Sequence, residues 1–144
     1  MAEPIVGVAI RLGVIAVVLA GLLLGRVLLH RWQAARRERV LGSEALPGMS
    51  NGEASVLLFT GTLCSDCMVQ KDILEELETS VGPFHLREVM AAKDIALAGR
   101  FGVQSVPATV VLNREGKPVG VNYGLVSRDI IASQLQGANG GNHG

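Results

Sequence analysis

The stretch SVLLFTGTLCSDC, residues 55–67, joins a short apolar run to the only two cysteines of the chain. Residues 55–60 have the length and composition of a strand buried in a sheet, and Gly61 bounds them. The motif Cys64-Ser65-Asp66-Cys67 follows, with its cysteines one helical turn apart. Two cysteines at this spacing can exist as a dithiol or as a disulfide.

An amphipathic helix is predicted to begin at Ser65. Acidic residues separate apolar ones that recur at spacings of one and two turns: Cys67, Ile73, Leu74, Leu77 and Val81. Gly82-Pro83 ends the pattern, so the cysteine pair lies at the junction of a strand and a helix.

The rest of the chain predicts an α/β domain over residues 55–136. The remaining elements are a strand at 84–90, a short helix at 92–101, a hairpin of strands 108–112 and 118–123, and a helix at 127–135. Strands connected through a helix are parallel and hairpin strands are antiparallel. We therefore expect a four-stranded mixed sheet with helices on both faces.

Two segments are predicted to lack regular structure. Residues 42–54 contain Pro47, Gly48 and Gly52 and predict a flexible linker. Residues 137–144, GANGGNHG, have nothing to bury and predict a disordered tail.

Residues 1–41 predict a transmembrane helix with a basic juxtamembrane extension. From Ile5 to Leu29 only Arg11 and Arg26 interrupt the apolar sequence, and as a helix this span would be roughly 37 Å long at ~1.5 Å per residue. A buried core helix and a cleaved signal peptide are the alternatives. No small-x-small site precedes the arginine pair 36–37, which favours a retained anchor.

The charges divide the chain into two parts. Residues 1–41 hold six arginines and two acidic residues, whereas residues 42–144 hold seven basic and eleven acidic residues. The arginines follow the apolar span, so the positive-inside rule places the main domain in the cytoplasm, with the extracytoplasmic side as the alternative. A basic segment beside a membrane indicates the lipid bilayer as its partner, and neither part indicates nucleic acid.

The position of Cys64 favours a thiolate. Free N–H groups and the positive end of the helix dipole gather at a helix start, and a thiolate is the nucleophile of disulfide exchange. Cys67 lies on the same side of the first turn, so we expect Cys64 to attack and Cys67 to resolve. The carboxylate of Asp66 opposes thiolate formation and partly cancels the effect of the helix.

Two further roles are open to the cysteine pair. The cysteines could be buried apolar residues, although the polar Ser65-Asp66 insert disfavours this. They could also form half of a zinc site, with ligands from His30, His85, His143 or a second chain, but these histidines lack paired spacing. We expect no metal, and no cofactor beyond a redox-active disulfide.

Residues 55–135 resemble the thioredoxin family. The strand, the C-x-x-C motif and the helix carry the resemblance, together with FGVQSVP at 101–107 and the apolar strand after it. The resemblance implies a cis Pro107 that faces the cysteines and a Val106 whose backbone pairs with the substrate. It also implies a site glycine at Gly124.

Several positions depart from thioredoxins. Leu63 stands where they have tryptophan, and Ser65-Asp66 replace Gly-Pro. Leu58 replaces their buried acid, so the proton acceptor for Cys67 is missing or supplied elsewhere, with Glu88 and Asp66 the nearest candidates. Ala108 stands after the proline, where threonine is usual.

These features predict a membrane-anchored thiol-disulfide oxidoreductase. Its partners would be protein disulfide or dithiol substrates and a thiol electron donor whose identity the sequence does not indicate. The alternative is a membrane-tethered binding or scaffold module without redox turnover, which Leu58, Leu63 and Asp66 favour.

Overall fold

The computed structural model describes residues 3–49 and 52–140 of the chain. It consists of two compact units, and the boundary between them lies at Arg36 and Arg37. Asn51 of the predicted linker and residues 141–144 of the predicted tail, with His143, lie outside the described residues.

The first unit is the greater part of one long helix. Helix α1 runs from Glu3 to Leu41 without interruption and so includes the basic residues that follow the apolar span. Every described side chain from 6 to 34 is exposed, and Arg36 stacks on the Trp32 ring at 4.5 Å. The helix is long and apolar enough to cross a bilayer, a criterion that signal sequences also meet.

The second unit is built on the predicted four-stranded mixed sheet. Its strands are β1 (Ser55–Thr60), β2 (His85–Met90), β3 (Ala108–Leu112) and β4 (Pro118–Tyr123). They lie in the order β2-β1-β3-β4, with β1 parallel to β2 and the other pairs antiparallel. The central strand β1 is buried on both faces, which explains its continuous apolar sequence.

Three helices cover the two faces of the sheet. They are α2 (Ser65–Val81), α3 (Ile95–Arg100) and α4 (Arg128–Gly140). Val56 and Leu58 pack with α2 and α4, whereas Leu57 and Phe59 pack with Phe101 on the side of α3. Alternate residues of one strand therefore belong to two separate cores.

Two helix boundaries differ from the prediction. Helix α3 begins at Ile95 instead of Ala92, because the Asp94 carboxylate caps it by accepting the Leu97 N–H at 3.1 Å. Helix α4 continues to Gly140 and buries Ala138. Residues 137–140, expected in a disordered tail, are therefore helical.

The segment predicted to be a flexible linker is packed instead. Leu46 and Met49 are buried in the core cluster of Leu57 and Phe59. The Leu46 N–H donates to the carbonyl of Gly116 at 2.9 Å, and the Arg100 guanidinium donates to the carbonyl of Glu44. Residues 42–49 thus contribute to the core of the second unit. This unit therefore begins before Ser55, the predicted start of the domain.

Candidate active site

The two cysteines form a disulfide at the amino-terminal end of α2. Their Cα atoms are 5.3 Å apart, a spacing that the first turn of a helix provides. Cys64 is the N-cap of α2, and its Sγ accepts the Cys67 N–H at 3.2 Å. Cys64 is partly exposed whereas Cys67 is only 4% exposed. An incoming thiol or disulfide therefore reaches Cys64 first.

The other motif residues lie on the open side of the first helical turn. Ser65 and Asp66 are both exposed, and Ser65 lines the cavity described below. Leu63, just before Cys64, is fully exposed and has a φ of 55°, which is unusual for a residue other than glycine. Leu63, in this left-handed backbone conformation, lies between the end of β1 and the start of α2.

The predicted substrate-binding residues meet at the same end of the sheet. The peptide bond between Val106 and Pro107 is cis, and the Gly124 N–H donates to the Pro107 carbonyl at 2.8 Å. Val106 approaches Gly61 so closely that a Cβ there would lie 2.9 Å from its Cγ2. Gly61 precedes Cys64 by three residues, so the cis-proline loop packs against the segment that leads into the disulfide.

Gln70 supports the helix that carries the disulfide, and no sequence motif pointed to it. It is fully buried, and its Oε1 accepts the Val126 N–H at 2.8 Å, which joins α2 to the segment after β4. Its Nε2 has no hydrogen-bond partner within residues 3–49 and 52–140. Positions 67, 70, 74 and 77 share the buried face of α2. A glutamine on that otherwise apolar face is the signal that could have identified it.

A cavity of about 740 Å³ lies beside the disulfide. It is lined by residues of β1, α2, β2 and the connection between β1 and α2: Thr60, Gly61, Leu63, Cys64, Ser65, Cys67, Met68, Lys71, Asp72, Glu75 and Glu88. The Lys71 ammonium and the Glu88 carboxylate form an ion pair at 3.1 Å, and this hydrogen bond raises the pKa of Lys71. Leu58 is fully buried and lies opposite Glu88 in the β1–β2 ladder.

A second groove of about 390 Å³ lies on the other side of Gly61. Its wall includes Ala91, Ile95, Gln104 and Val106, and Ile95 is 75% exposed. The partly exposed Val106 therefore borders an open, mainly apolar groove that shares Thr60 and Gly61 with the cavity at the disulfide.

The site carries one cysteine pair, which can exist as a dithiol or as a disulfide. Both sulfurs are bonded to each other. Among the described residues, His, Cys, Asp and Glu side chains form no group of three or more that could hold a metal ion. The accessible Cys64 sulfur, the buried Cys67 partner and the adjoining groove support an activity of the thiol-disulfide oxidoreductase type.

Solved structures similar to this chain have the thioredoxin fold. A mutant thioredoxin from Halobacterium salinarum NRC-1 aligns over 62% of this chain and 78% of its own, with 21% identity and a TM-score of 0.56. The malaria parasite thioredoxin-2, described as a component of the protein secretion machinery, covers 65% and 96%, with 21% identity and a TM-score of 0.53. MTB dsbF covers 60% and 81%, with 18% identity and a TM-score of 0.51. At these identities the likeness shows the fold alone.

Comparison of sequences identifies a family. No curated protein sequence matches the chain. The family model described as TraF, F plasmid transfer operon protein, matches residues 24–136, well over half of the 144 residues. The chain therefore belongs to the TraF family, and its second unit is a thioredoxin-like domain.

Proposed function

We propose that this protein is a membrane-anchored thiol-disulfide oxidoreductase that reduces or exchanges protein disulfides. The observation that carries the proposal is the Cys64–Cys67 disulfide at the start of α2, with one sulfur accessible and the other buried. The helix N-terminus stabilises a Cys64 thiolate, which makes Cys64 the nucleophile.

The reaction proceeds in two exchanges. In the reduced protein the Cys64 thiolate attacks one sulfur of a substrate disulfide, forms a mixed disulfide and releases the other substrate sulfur as a thiolate. Cys67 then loses its proton and attacks the Cys64 sulfur, which restores the Cys64–Cys67 disulfide and releases the second substrate sulfur. Two electrons pass from the protein to the substrate, and a thiol electron donor must return them.

Val106, Pro107 and Gly124 orient the substrate chain in this proposal. The Val106 backbone would pair with the residues that flank the substrate cysteine, in the groove that Val106 borders. The Gly124 N–H is bonded to the Pro107 carbonyl. Gly124 therefore supports the loop and leaves room for the substrate instead of donating to it.

Helix α1 anchors the domain in the lipid bilayer, and the arginines after its apolar span favour a cytoplasmic domain. The family description makes proteins of a plasmid transfer system the first substrates to test. A membrane-impermeant thiol reagent applied to intact cells, after mild reduction, determines the side of the membrane. Labelling of Cys64 from outside would instead place the domain on the extracytoplasmic side.

Trapping of substrates tests the proposal. Cys67→Ser should accumulate mixed disulfides on Cys64, because nothing resolves them, whereas Cys64→Ser should neither exchange nor trap. The readout is the pattern of disulfide-linked adducts and the rate at which full-length protein reduces a protein disulfide. Wild-type rates in both variants would rule the function out.

Leu58 favours one competing function, a tethered binding module without turnover. This fully buried leucine occupies the strand position at which thioredoxins carry an acid. A redox titration discriminates between the two functions. An irreversible cysteine pair in a protein that still binds its partner would support the module.

A further inference from the structure

The buried cysteine of the pair needs a route by which its proton can leave. Cys67 is 4% exposed, and the side chain adjoins the 740 Å³ cavity between α2 and β2. A water molecule occupies about 30 Å³ of liquid volume, so a cavity of this size admits several. The thiol proton can therefore pass through water to a base that lines the same cavity.

The central strand supplies no such base. Leu58 is fully buried, and its ladder partner on β2 is Glu88. Residues paired across a parallel ladder point to the same face of the sheet, and on this face Glu88 reaches the cavity. The Glu88 carboxylate therefore lies on β2, next to Leu58 of β1 and on the same face of the sheet.

Lys71 fixes where the Glu88 carboxylate lies. Cys67 and Lys71 are four residues apart on α2 and so occupy the same side of the helix. The Lys71 Nζ lies 3.1 Å from Glu88 Oε2, in a pair whose side chains are about half exposed. This contact holds the carboxylate at the turn of α2 that follows Cys67.

We propose that the Glu88 carboxylate accepts the proton of the Cys67 thiol during resolution of the mixed disulfide, and that Lys71 positions it. The inference rests on the proposed oxidoreductase function. The ionisable groups facing the cavity are the two cysteines, Lys71, Asp72, Glu75 and Glu88. Glu75 lies two turns beyond Cys67, about 12 Å along the helix at ~1.5 Å per residue. Asp72 also lines the cavity, but it is five residues beyond Cys67 and so lies roughly 140° around α2 from it at ~3.6 residues per turn.

The proton balance is simple. The Cys67 thiol gives its proton through water to Glu88, and the Cys67 thiolate attacks the Cys64 sulfur of the mixed disulfide. The bond between Cys64 and the substrate sulfur breaks, and the departing thiolate takes the proton from Glu88. Glu88 is an ionised carboxylate again at the end of the step.

Glu88→Gln has two opposite effects on the rate at which Cys67 resolves the mixed disulfide. The sign of the observed change therefore shows which effect dominates. Loss of a negative charge near Cys67 favours its thiolate and would speed resolution. Loss of the proton acceptor slows resolution, by roughly 100-fold near neutral pH if the acceptor contributes at the low end of general-base catalysis. Glu75→Gln removes the same charge from the same cavity and is the matched control.

The experiment uses the full-length reduced protein in lipid nanodiscs, mixed rapidly with the aromatic disulfide dithiobis(nitrobenzoate). Attack by Cys64 releases a first thionitrobenzoate, and attack by Cys67 on the mixed disulfide releases a second. Glu88→Gln should leave the first phase unchanged and slow the second near neutral pH. The difference in second-phase rate between Glu88→Gln and wild type should disappear at alkaline pH, where hydroxide deprotonates Cys67. Glu88→Asp should retain part of the wild-type second-phase rate.

A second phase in Glu88→Gln that equals the Glu75→Gln phase at every pH would overturn the assignment of Glu88 while leaving the oxidoreductase function intact. A wild-type protein with no second phase would overturn the function itself, and the role of Glu88 with it.

Discussion

The Oε1 atom of Gln70 accepts the backbone N–H of Val126 at 2.8 Å, although 56 residues separate them in the chain. This hydrogen bond joins the helix that carries the disulfide to the segment after β4. In that segment the Gly124 N–H donates a hydrogen bond to the Pro107 carbonyl. The helix and the cis-proline loop are therefore connected through two hydrogen bonds.

Replacement of Gln70 by alanine should destabilise the protein by about 2 kcal/mol. The change leaves the partly buried Val126 N–H without its acceptor and opens a void at the buried Gln70 position. Chemical unfolding followed by circular dichroism measures the loss, and Gln136→Ala, at an exposed position of α4, is the control. Equal stability of the two variants would show that the Val126 hydrogen bond contributes nothing.

Gly61→Ala should slow disulfide exchange because it displaces the cis-proline loop. The new Cβ would lie 2.9 Å from Val106 Cγ2, an atom that a stiff, β-branched side chain cannot move aside. Gly137→Ala meets nothing within 4 Å in α4 and should stabilise the protein by about 0.5–1 kcal/mol. Reduction of a protein disulfide is the readout, and a wild-type rate in Gly61→Ala would contradict the prediction.

Leu63→Asn should raise stability by about 1 kcal/mol, because asparagine tolerates the left-handed backbone at φ 55° better than leucine. The same change removes a fully exposed apolar side chain next to Cys64. We expect slower exchange with a protein disulfide and an unchanged rate with a small disulfide reagent. A parallel loss with both substrates would instead indicate damage to Cys64.

Gly120→Ala and Gln134→Ala should be strongly non-additive. A Cβ on Gly120 would collide with the Gln134 side chain, which is held by a reciprocal amide pair with Asn122 at 2.8 and 3.1 Å. Gly120→Ala alone forces the Asn122–Gln134 pair apart. In the Gln134→Ala background the same alanine meets no glutamine side chain, so its destabilising effect should be smaller. Unfolding free energies of the two single variants and the double variant should give a coupling of about 1 kcal/mol or more. Strict additivity would contradict the collision.

Leu46→Ala tests whether residues 42–49 belong to the folded unit. Leu46 is 8% exposed in the core, so its truncation should cost about 2–3 kcal/mol. Leu41, at 41% exposure, provides the control Leu41→Ala. No difference in unfolding between the two would restore the flexible linker that the sequence predicts.

The strands and their pairing could be predicted because their pattern is local. In β1 the residues Val56 and Leu58 face one core while Leu57 and Phe59 face the other. A strand buried on both faces is apolar throughout, and the glycines and prolines between elements mark the turns. The order of strands and helices then limits the sheet to few arrangements.

The packed segment and the end of α4 could not be predicted in this way. Leu46 and Met49 are isolated apolar residues beside Pro47 and Gly48, so no periodicity indicates their burial. Their partners come from the turn at Gly116 and from the core around Phe59. Ala138 likewise becomes buried through tertiary packing of α4, within a sequence that is otherwise typical of a disordered tail.

The sequence is sufficient to place the two cysteines at the start of a helix, because they follow a strand directly and are three residues apart. Tertiary structure alone decided what surrounds them. Lys71 meets Glu88 across 17 residues, and Gln70 meets Val126 across 56. Such contacts form only when the sheet brings distant segments together, since their free energy depends on packing and not on the local preferences of either residue.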